Sequence, residues 1–459
     1  MILGRLKGTH AYLLGEGLGP LLIRAVAGTG LVRLGAMAAS FLVGVQLARG
    51  LGVKGYGYYG LALSIITIAG IPGELGLPRL VTREVAAAAV RDDLPHLFGV
   101  IQWARRTALR LCAVMAVCAL LASVIVSADK SSSINLTILL GIPIIPLMAL
   151  ARIDGGILQG LHHVVRGQVP ANLIRPLILS ALLFAAYLAG LRLGSPRAMA
   201  FSSISALGAL AIASWWLRTR LPPVQSAEVI RSGRKWLASS IPMALTDGMR
   251  ALQSELSTVL LGIIAAPSAV GLFRIANVTA TVAATGLLIV GHATMPTIAR
   301  LYAEGATERL QKLITYSARL QLLGVTLLSL PLLIFPEWLL SLAFGTDYSG
   351  AAAALRIIAV GQIINAAFGP NVVLLNMSHN ERRVTRAMAV ALVLNVATVL
   401  LLGAVWRARG AAVGMLIALV CWNVITWLDA QRILSLDTSV VGRVIGKGVK
   451  EPSSASQKP

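Results

Sequence analysis

Acidic residues are scarce in this sequence. Its 459 residues contain 18 aspartates and glutamates against 40 lysines and arginines, a formal net charge of +22. In a soluble protein this excess would indicate nucleic-acid binding. Here the basic residues lie between long apolar runs with few aromatic side chains among them, so we expect them to face anionic membrane lipids. The sequence therefore predicts membrane lipids as partners and no nucleic acid.

Cysteine and the usual catalytic motifs are also nearly absent. The three cysteines, Cys112, Cys118 and Cys421, lie in apolar runs and indicate neither a disulfide nor a metal site. The chain has no Walker-type phosphate loop, zinc-protease motif or nucleophile elbow, and its one adjacent acidic pair is Asp92-Asp93. We expect no cofactor, no metal and no enzymatic activity.

Apolar residues dominate what is present. Hydrophobic residues make up 57% of the chain, charged residues 13%, and the mean hydropathy is +0.80. A soluble fold of this length could not bury so much apolar surface. The apolar runs are about 20 residues long, enough to cross a bilayer as helices, so we predict an all-α polytopic membrane protein with about twelve transmembrane helices. The predicted spans are 28–48, 56–78, 107–127, 134–152, 171–191, 198–217, 237–261, 270–292, 317–336, 351–375, 387–405 and 411–429.

The two halves of the sequence resemble each other at a shift of about 214–217 residues. The segment 57–62 aligns with 271–276, and 158–163 aligns with 375–380. Six spans per half make the repeats parallel, so two six-helix bundles should surround a central cavity that opens alternately to each side. The predicted regions are an amphipathic cytoplasmic segment 1–27, an N-terminal bundle 28–217, a linker 218–236, a C-terminal bundle 237–429 and a disordered tail 430–459.

Basic residues are concentrated in alternate loops, and the linker carries Arg231, Arg234 and Lys235. The opposite loops near 265 and 346 carry none. By the positive-inside rule, both termini are predicted to lie in the cytoplasm.

Four arginines interrupt the apolar runs: Arg33, Arg250, Arg274 and Arg356. Arginine at mid-bilayer depth costs ~2.5–3.5 kcal/mol on insertion scales, which indicates a use for positive charge, such as holding an anion. In the alternative interpretation, Arg33 and Arg356 reach the two interfaces from helix ends. Arg250 is three residues from Asp247, close enough for a local ion pair.

Three acidic residues in or near the spans are candidate ion-coupling sites: Glu74, Asp247 and Glu255. Glu74 could equally pair with Arg79 or occupy a bend between Pro72 and Pro78. Further polar side chains in the predicted spans are Gln253, Asn277, Thr279, Thr281, Asn365 and Asn371.

One stretch carries a family resemblance. The run from Gln46 to Ala62, QLARGLGVKGYGYYGLA, followed by GLPRLVTREVA at 76–86, resembles the opening of bacterial polysaccharide flippases of the multidrug/oligosaccharidyl-lipid/polysaccharide exporter superfamily. The sequence VGLF at 270–273 is similar to the same family's second half.

The resemblance implies an inner-membrane transporter that moves a polyprenyl-diphosphate-linked oligosaccharide from the inner to the outer leaflet. Polysaccharide polymerases and glycosyltransferases would be further candidate partners. The arginines suit the diphosphate as substrate-binding residues, together with Gln253 and Asn277. A multidrug or cation antiporter of the same superfamily is the alternative, and it would favour an acidic cavity.

Overall fold

The computed structural model describes residues 18–127, 132–221 and 233–442, and within these ranges the chain forms helices and turns without β-strands. The α-helices are α1 (Leu18–Glu74), α2 (Leu77–Arg91), α3 (Leu94–Ser127), α4 (Ser132–Gly141), α5 (Ile144–Gly160), α6 (Val164–Val169), α7 (Arg175–Leu188), α8 (Ser195–Arg218), α9 (Gly233–Ile264), α10 (Pro267–Ala303), α11 (Thr307–Ile334), α12 (Pro336–Phe344), α13 (Ala352–Ala367), α14 (Asn371–Met377), α15 (Glu381–Trp406) and α16 (Ala408–Leu434). A π-helical turn, Pro170–Ile174, joins α6 to α7, and a 3₁₀ turn, Thr346–Ala351, joins α12 to α13.

The prediction of an all-α polytopic membrane protein is confirmed. Among the described residues, nine helical stretches are long and apolar enough to cross a membrane. One of them, Val32–Arg91, contains two predicted spans, which Gly52 separates with a non-helical φ of 65° and ψ of 173°. The predicted spans 107–127 and 237–261 fall outside these stretches but lie within the long helices α3 and α9.

Residue contacts group the chain into two compact units. The first unit comprises Met1–Val43, Ala69–Arg192 and Pro196–Leu245; the second comprises Gly44–Ile68, Leu193–Ser195 and Thr246–Pro459. These units differ from the predicted bundles chiefly in residues 44–68, which pack with the second unit. The physical reason is close backbone packing of the second half of α1 against α10, described next.

The glycines of the repeated motif contact each other's helices reciprocally. A Cβ atom added at Gly57 would overlap the carbonyl oxygen of Pro267, and one added at Gly271 would overlap that of Val53. Pro267 follows Val53 by 214 residues, and Gly271 follows Gly57 by 214. Such reciprocity is the mark of a two-fold relation, so the repeat has a register of 214 at this crossing.

The helix-ending turns repeat as well. His162 and His379, 217 residues apart, have left-handed φ angles of 64° and 60°. Each turn is closed by the next residue, since His163 N donates to Leu158 O at 2.8 Å and Asn380 N donates to Leu375 O at 2.9 Å. These histidines therefore occupy equivalent helix C-terminal turns.

The predicted disordered tail is wrong over residues 430–442. Helix α16 continues to Leu434, and the following segment packs back onto the second unit. The Gln311 side chain donates to Asp437 O at 2.6 Å and accepts from Asp437 N at 2.9 Å, while Trp427 Nε1 donates to Asp437 Oδ1 at 2.9 Å. These hydrogen bonds hold Asp437 in place, although the polar sequence around it favours disorder. Residues 1–17, 128–131, 222–232 and 443–459 lie outside the described part of the chain.

Candidate functional site

The second unit encloses a cavity of about 480 Å³. Helices α9, α10, α11 and α13 to α16 line it, and among the described lining residues Arg250 is charged and none is acidic. The other lining side chains are amides, a serine and apolar groups. Its polar lining consists of Arg250, Gln253, Ser254, Gln321, Gln362, Asn365, Asn371, Asn395 and Trp422.

Arg250 is the cation of this cavity. It lies on α9, its residue surface is exposed, and it makes no hydrogen bond or ion pair with the described residues. Gln253, one turn further along α9, donates from Nε2 to Met388 O at 3.3 Å and lines the same cavity. An arginine without a carboxylate partner keeps all its donors for an anion, which a guanidinium binds through two parallel hydrogen bonds.

A chain of amides forms one wall. Asn371 Nδ2 donates to Asn423 Oδ1 at 3.0 Å, and Asn423 Nδ2 donates to Asn365 Oδ1 at 2.9 Å. The break between α13 and α14 creates this arrangement, because Gly369 has a left-handed φ of 68° and Pro370 cannot continue the helix. The helical path is thereby interrupted just before Asn371. This wall is polar, electrically neutral and fixed by its own hydrogen bonds.

Two polar atoms of lining residues have no hydrogen-bond partner among the described residues: Gln321 Oε1 and Trp422 Nε1. Gln321 is only 2% exposed. Both atoms are fully buried within the protein, so neither faces the open space of the cavity.

Arg274 and Glu255 form an ion pair apart from the described cavity lining. Arg274 Nη1 donates to Ser64 Oγ at 2.9 Å and lies 3.4 Å from Glu255 Oε2, while Ser64 donates to Glu255 at 2.6 Å. The side chains of Arg274 and Glu255 are 16% and 20% exposed. Gly60 allows this placement, because a Cβ there would lie 2.5 Å from Arg274 Cδ. The pair ties α9 and α10 to the second half of α1.

Arg356 and Arg33 lie at the surface. Arg356 pairs with Glu337 at 3.2 Å and donates to Leu333 O at 3.2 Å, and both charged side chains are about half exposed. This geometry favours the helix-end interpretation of Arg356. Arg33 is exposed on α1 in the first unit, and Asn277 is half-buried on α10.

In the first unit, Glu74 pairs with Arg152 Nη1 at 2.8 Å through both carboxylate oxygens. An ion pair was one of three roles considered for Glu74, with Arg79 as the expected partner. The structure shows an ion pair with Arg152. Asp247, the remaining candidate ion-coupling acid, is half-buried on α9.

Sequence reasoning missed Asp154, the most deeply buried acid among the described residues of the first unit. Asp154 is 1% exposed, accepts from Arg105 Nε at 3.0 Å and accepts from Ser214 Oγ at 2.7 Å. It also missed Asn423, Gln321 and Trp422. The available signal for Asp154 was its position, two residues after the end of a predicted span. Asn423, Gln321 and Trp422 look like ordinary residues of apolar helices.

His163, in the turn before α6, lies outside the apolar stretches. Burial and then the positive charges of Arg220 and Arg166 lower its pKa from 6.5. The imidazole is therefore neutral at physiological pH and is a poor ligand for an anion.

The fold and this cavity define a helical, multi-pass membrane protein with a basic, amide-lined cavity in one bundle. The chain belongs to the polysaccharide biosynthesis protein family, whose sequence profile matches residues 22–302. No curated protein sequence matches it.

Solved structures with the same fold are transporters. A multidrug resistance MATE family transporter of the MOP superfamily, in an inward-facing conformation, is 14% identical with a TM-score of 0.75; the match covers 88% of this chain and 98% of that one. An outward-facing structure of such a transporter is 15% identical, with a TM-score of 0.65 and coverage of 90% and 96%. A MOP superfamily transporter from Pyrococcus furiosus is 14% identical, with a TM-score of 0.62 and coverage of 90% and 96%. At these identities the likeness shows the fold.

Proposed function

We propose that the protein is a MOP-superfamily exporter that carries a polyprenyl-diphosphate-linked oligosaccharide from the inner to the outer leaflet of the bacterial cytoplasmic membrane. Membership of the polysaccharide biosynthesis protein family supports the substrate class. The observation that carries the proposal is Arg250, a cation in a cavity whose described lining has no acid.

The cavity chemistry suits the two polar parts of such a lipid. The guanidinium of Arg250 has the planar donor geometry that diphosphate oxygens accept. The neutral amides Asn365 and Asn371 offer donors and acceptors to sugar hydroxyls. The hydrocarbon tail stays in the bilayer while the head group moves.

Outward movement of a doubly negative group also runs with an inside-negative membrane potential. Each charge contributes ~2.3 kcal/mol per 100 mV if it crosses the whole field. Transport on this account needs no nucleotide, cofactor or catalytic residue, so the protein acts as a transporter and not as an enzyme. Glu74 and Glu255 both hold arginine partners, which supports a potential-driven cycle over one that protonates either acid.

The charge of the cavity also separates this substrate from an organic cation. A cation would meet Arg250 without an acidic partner and be disfavoured there. The Pyrococcus furiosus relative was described as having a binding pocket of reversed polarity that suggests a different function. Pocket polarity therefore varies among proteins of this fold. The charge of the cavity is for that reason a better guide to the substrate than the fold is.

The orientation belongs to the same proposal. Both termini and the 218–236 linker face the cytoplasm, where glycosyltransferases assemble the substrate. Polymerases that extend the repeat unit would take the product at the outer face.

Replacement of Arg250 tests the proposal. Arg250→Ala should lower the rate at which lipid-linked oligosaccharide appears on the outer leaflet by at least about 10-fold, since charge-assisted hydrogen bonds are lost. Arg250→Lys should recover part of the rate, because lysine keeps the positive charge but lacks the two parallel N–H donors of the guanidinium. Leaflet accessibility of the intermediate is measured in cells with matched membrane levels of each variant.

Arg356→Ala is the matched control, since it removes an arginine that is paired and outside the described cavity lining. It should transport at the wild-type rate. Normal outer-leaflet delivery by Arg250→Ala would overturn the proposal. Normal delivery in a deletion strain, with reduced efflux of a cationic dye, would favour the multidrug exporter.

A further inference from the structure

The residues that follow α16, 435–442, pack against the second unit, and we call this segment the strap. Leu436, Asp437 and Thr438 are at most 9% exposed, although irregular polar segments usually lie exposed at the surface. Burial of such a segment requires partners for its backbone groups. These partners show which parts of the protein the strap holds.

One side of α11 binds the strap. The Gln311 side chain exchanges two hydrogen bonds with the backbone of Asp437. Arg319 lies eight residues further along the same face of α11, and its Nε donates to Val440 O at 3.3 Å. The strap is therefore attached to α11 at two points about two helical turns apart.

The strap also bridges the break between α13 and α14. At the end of α13, Ala367 O accepts from Val440 N at 3.0 Å. Leu436 packs in the same buried cluster as Leu374 and Leu375 of α14. The strap thus supplies a donor to one of the carbonyl groups that a helix end leaves without an intrahelical partner, and it supports the next helix as well.

Gly369 is in contact with the strap and also lines the cavity. A Cβ atom added at Gly369 would overlap the carbonyl oxygen of Thr438. The residues that follow Gly369, from Pro370 to Val373, line the cavity too. The strap and the cavity therefore meet the same stretch of backbone, so loss of the strap's contacts removes support from the cavity wall.

We propose that the strap is a positioning element for substrate binding, with Asp437 and Gln311 as its positioning residues. It holds the break between α13 and α14 so that Asn371 keeps its place in the wall of amides. The strap contacts α11, α13 and α14, whereas Arg250 lies on α9. The inference rests on the proposed function, because it assigns the strap to the wall that faces the glycan.

Hydrogen exchange of the purified full chain in lipid nanodiscs tests whether the strap holds the break. Asp437→Leu removes the carboxylate oxygen that accepts from Trp427 Nε1 and from Ser439 N, both at 2.9 Å. This variant should raise exchange about 5- to 30-fold in residues 435–442 and also in residues 367–375, since one or two hydrogen bonds are lost. Asp437→Asn keeps an accepting oxygen and should exchange like wild type.

Lipid binding by the same variants tests whether the held break positions the binding wall. The probes are lipid-linked oligosaccharide extracted from the producing cells and a polyprenyl diphosphate of the same chain length without sugar. Asp437→Leu should weaken binding of the glycosylated lipid about 5- to 30-fold and leave the affinity for the bare diphosphate lipid unchanged. Asp437→Asn should bind both lipids like wild type.

Asp429→Leu is the matched control. Asp429 is an acid near the end of α16 that pairs with Arg383 at 3.1 Å and lies outside the strap and the described cavity lining. This variant should keep wild-type exchange in residues 367–375 and wild-type affinity for both lipids.

The outcomes separate this inference from the proposed function. Faster exchange in residues 435–442 without a change in 367–375 would show that the strap does not hold the break, and the inference would be wrong. Faster exchange in both with unchanged binding of the glycosylated lipid would also overturn the positioning role, while the proposed function would stand. If wild type does not bind the glycosylated lipid, the proposed function fails and the positioning role fails with it. Where Asp437→Leu does not reach the membrane, Gln311→Leu, which removes the two bonds from α11, decides by the same measurements.

Discussion

Replacing Arg274 should lower the stability of the protein, because its guanidinium pairs with Glu255 away from the described cavity lining. Arg274→Leu leaves Glu255 with a single hydrogen bond, from Ser64, in a site where the two charged side chains are 16% and 20% exposed. Breaking a buried ion pair from one side costs about 3–5 kcal/mol. Because both side chains retain some exposure, we expect a cost of about 3 kcal/mol, the lower end of that range.

The double variant provides the decisive comparison. Arg274→Leu with Glu255→Leu removes both charges, so much of the lost stability should return. Thermal unfolding of the purified protein, followed by intrinsic fluorescence, should rank wild type highest, the double variant next and Arg274→Leu lowest. Arg250→Leu is the matched control, and its unfolding temperature should equal that of wild type. Equal unfolding temperatures for Arg274→Leu and wild type would refute a structural role for the pair and return Arg274 to the substrate-binding residues.

Three further perturbations follow from the packing and the topology. Gly57→Ala should cost at least about 1–3 kcal/mol of stability, because the added Cβ would overlap the Pro267 carbonyl. Gly70→Ala is the control and should be tolerated, because the space around Gly70 is open. Thermal unfolding of the two variants measures the difference. Gln311→Leu removes both bonds to Asp437 and should raise hydrogen exchange of residues 435–442, with Lys312→Ala as an unaffected neighbour. Cysteine labelling should reach Ser226 from the cytoplasm and Ser268 from outside, and the reverse pattern would overturn the predicted orientation.

The sequence predicted the fold well because the fold depends on coarse signals. Apolar run length predicted the membrane-spanning helices. The aligned glycines Gly57 and Gly271 lie at the helix crossing where a backbone approach demands them. The wrong prediction, a disordered segment over 430–442, failed because local polarity does not reveal a distant glutamine that binds its backbone.

The candidate site was harder to predict because the role of each arginine depends on whether it has an ion-pair partner in the folded protein. Arg250 and Arg274 look equivalent as isolated cations in apolar runs. Their difference, a carboxylate 3.4 Å from Arg274 and none bonded to Arg250 among the described residues, appears only after α9 and α10 pack. Likewise, Gln321 and Trp422 are unremarkable in sequence, because an unmet hydrogen bond is a property of the folded environment. Whether the predicted substrate-binding residues bind substrate stays a prediction.

One position of the repeat carries different chemistry in the two halves. Asn371 follows Asp154 by 217 residues, and Trp422 follows Ser205 by 217. In the first unit the equivalent position is a carboxylate, which Arg105 neutralises. In the second unit it is a neutral amide bonded to another amide, so no acid at that position competes for Arg250. At this repeated position the first unit therefore has an ion pair and the second has two bonded amides. On the proposed function, an anionic head group would bind at Arg250 in the cavity of the second unit.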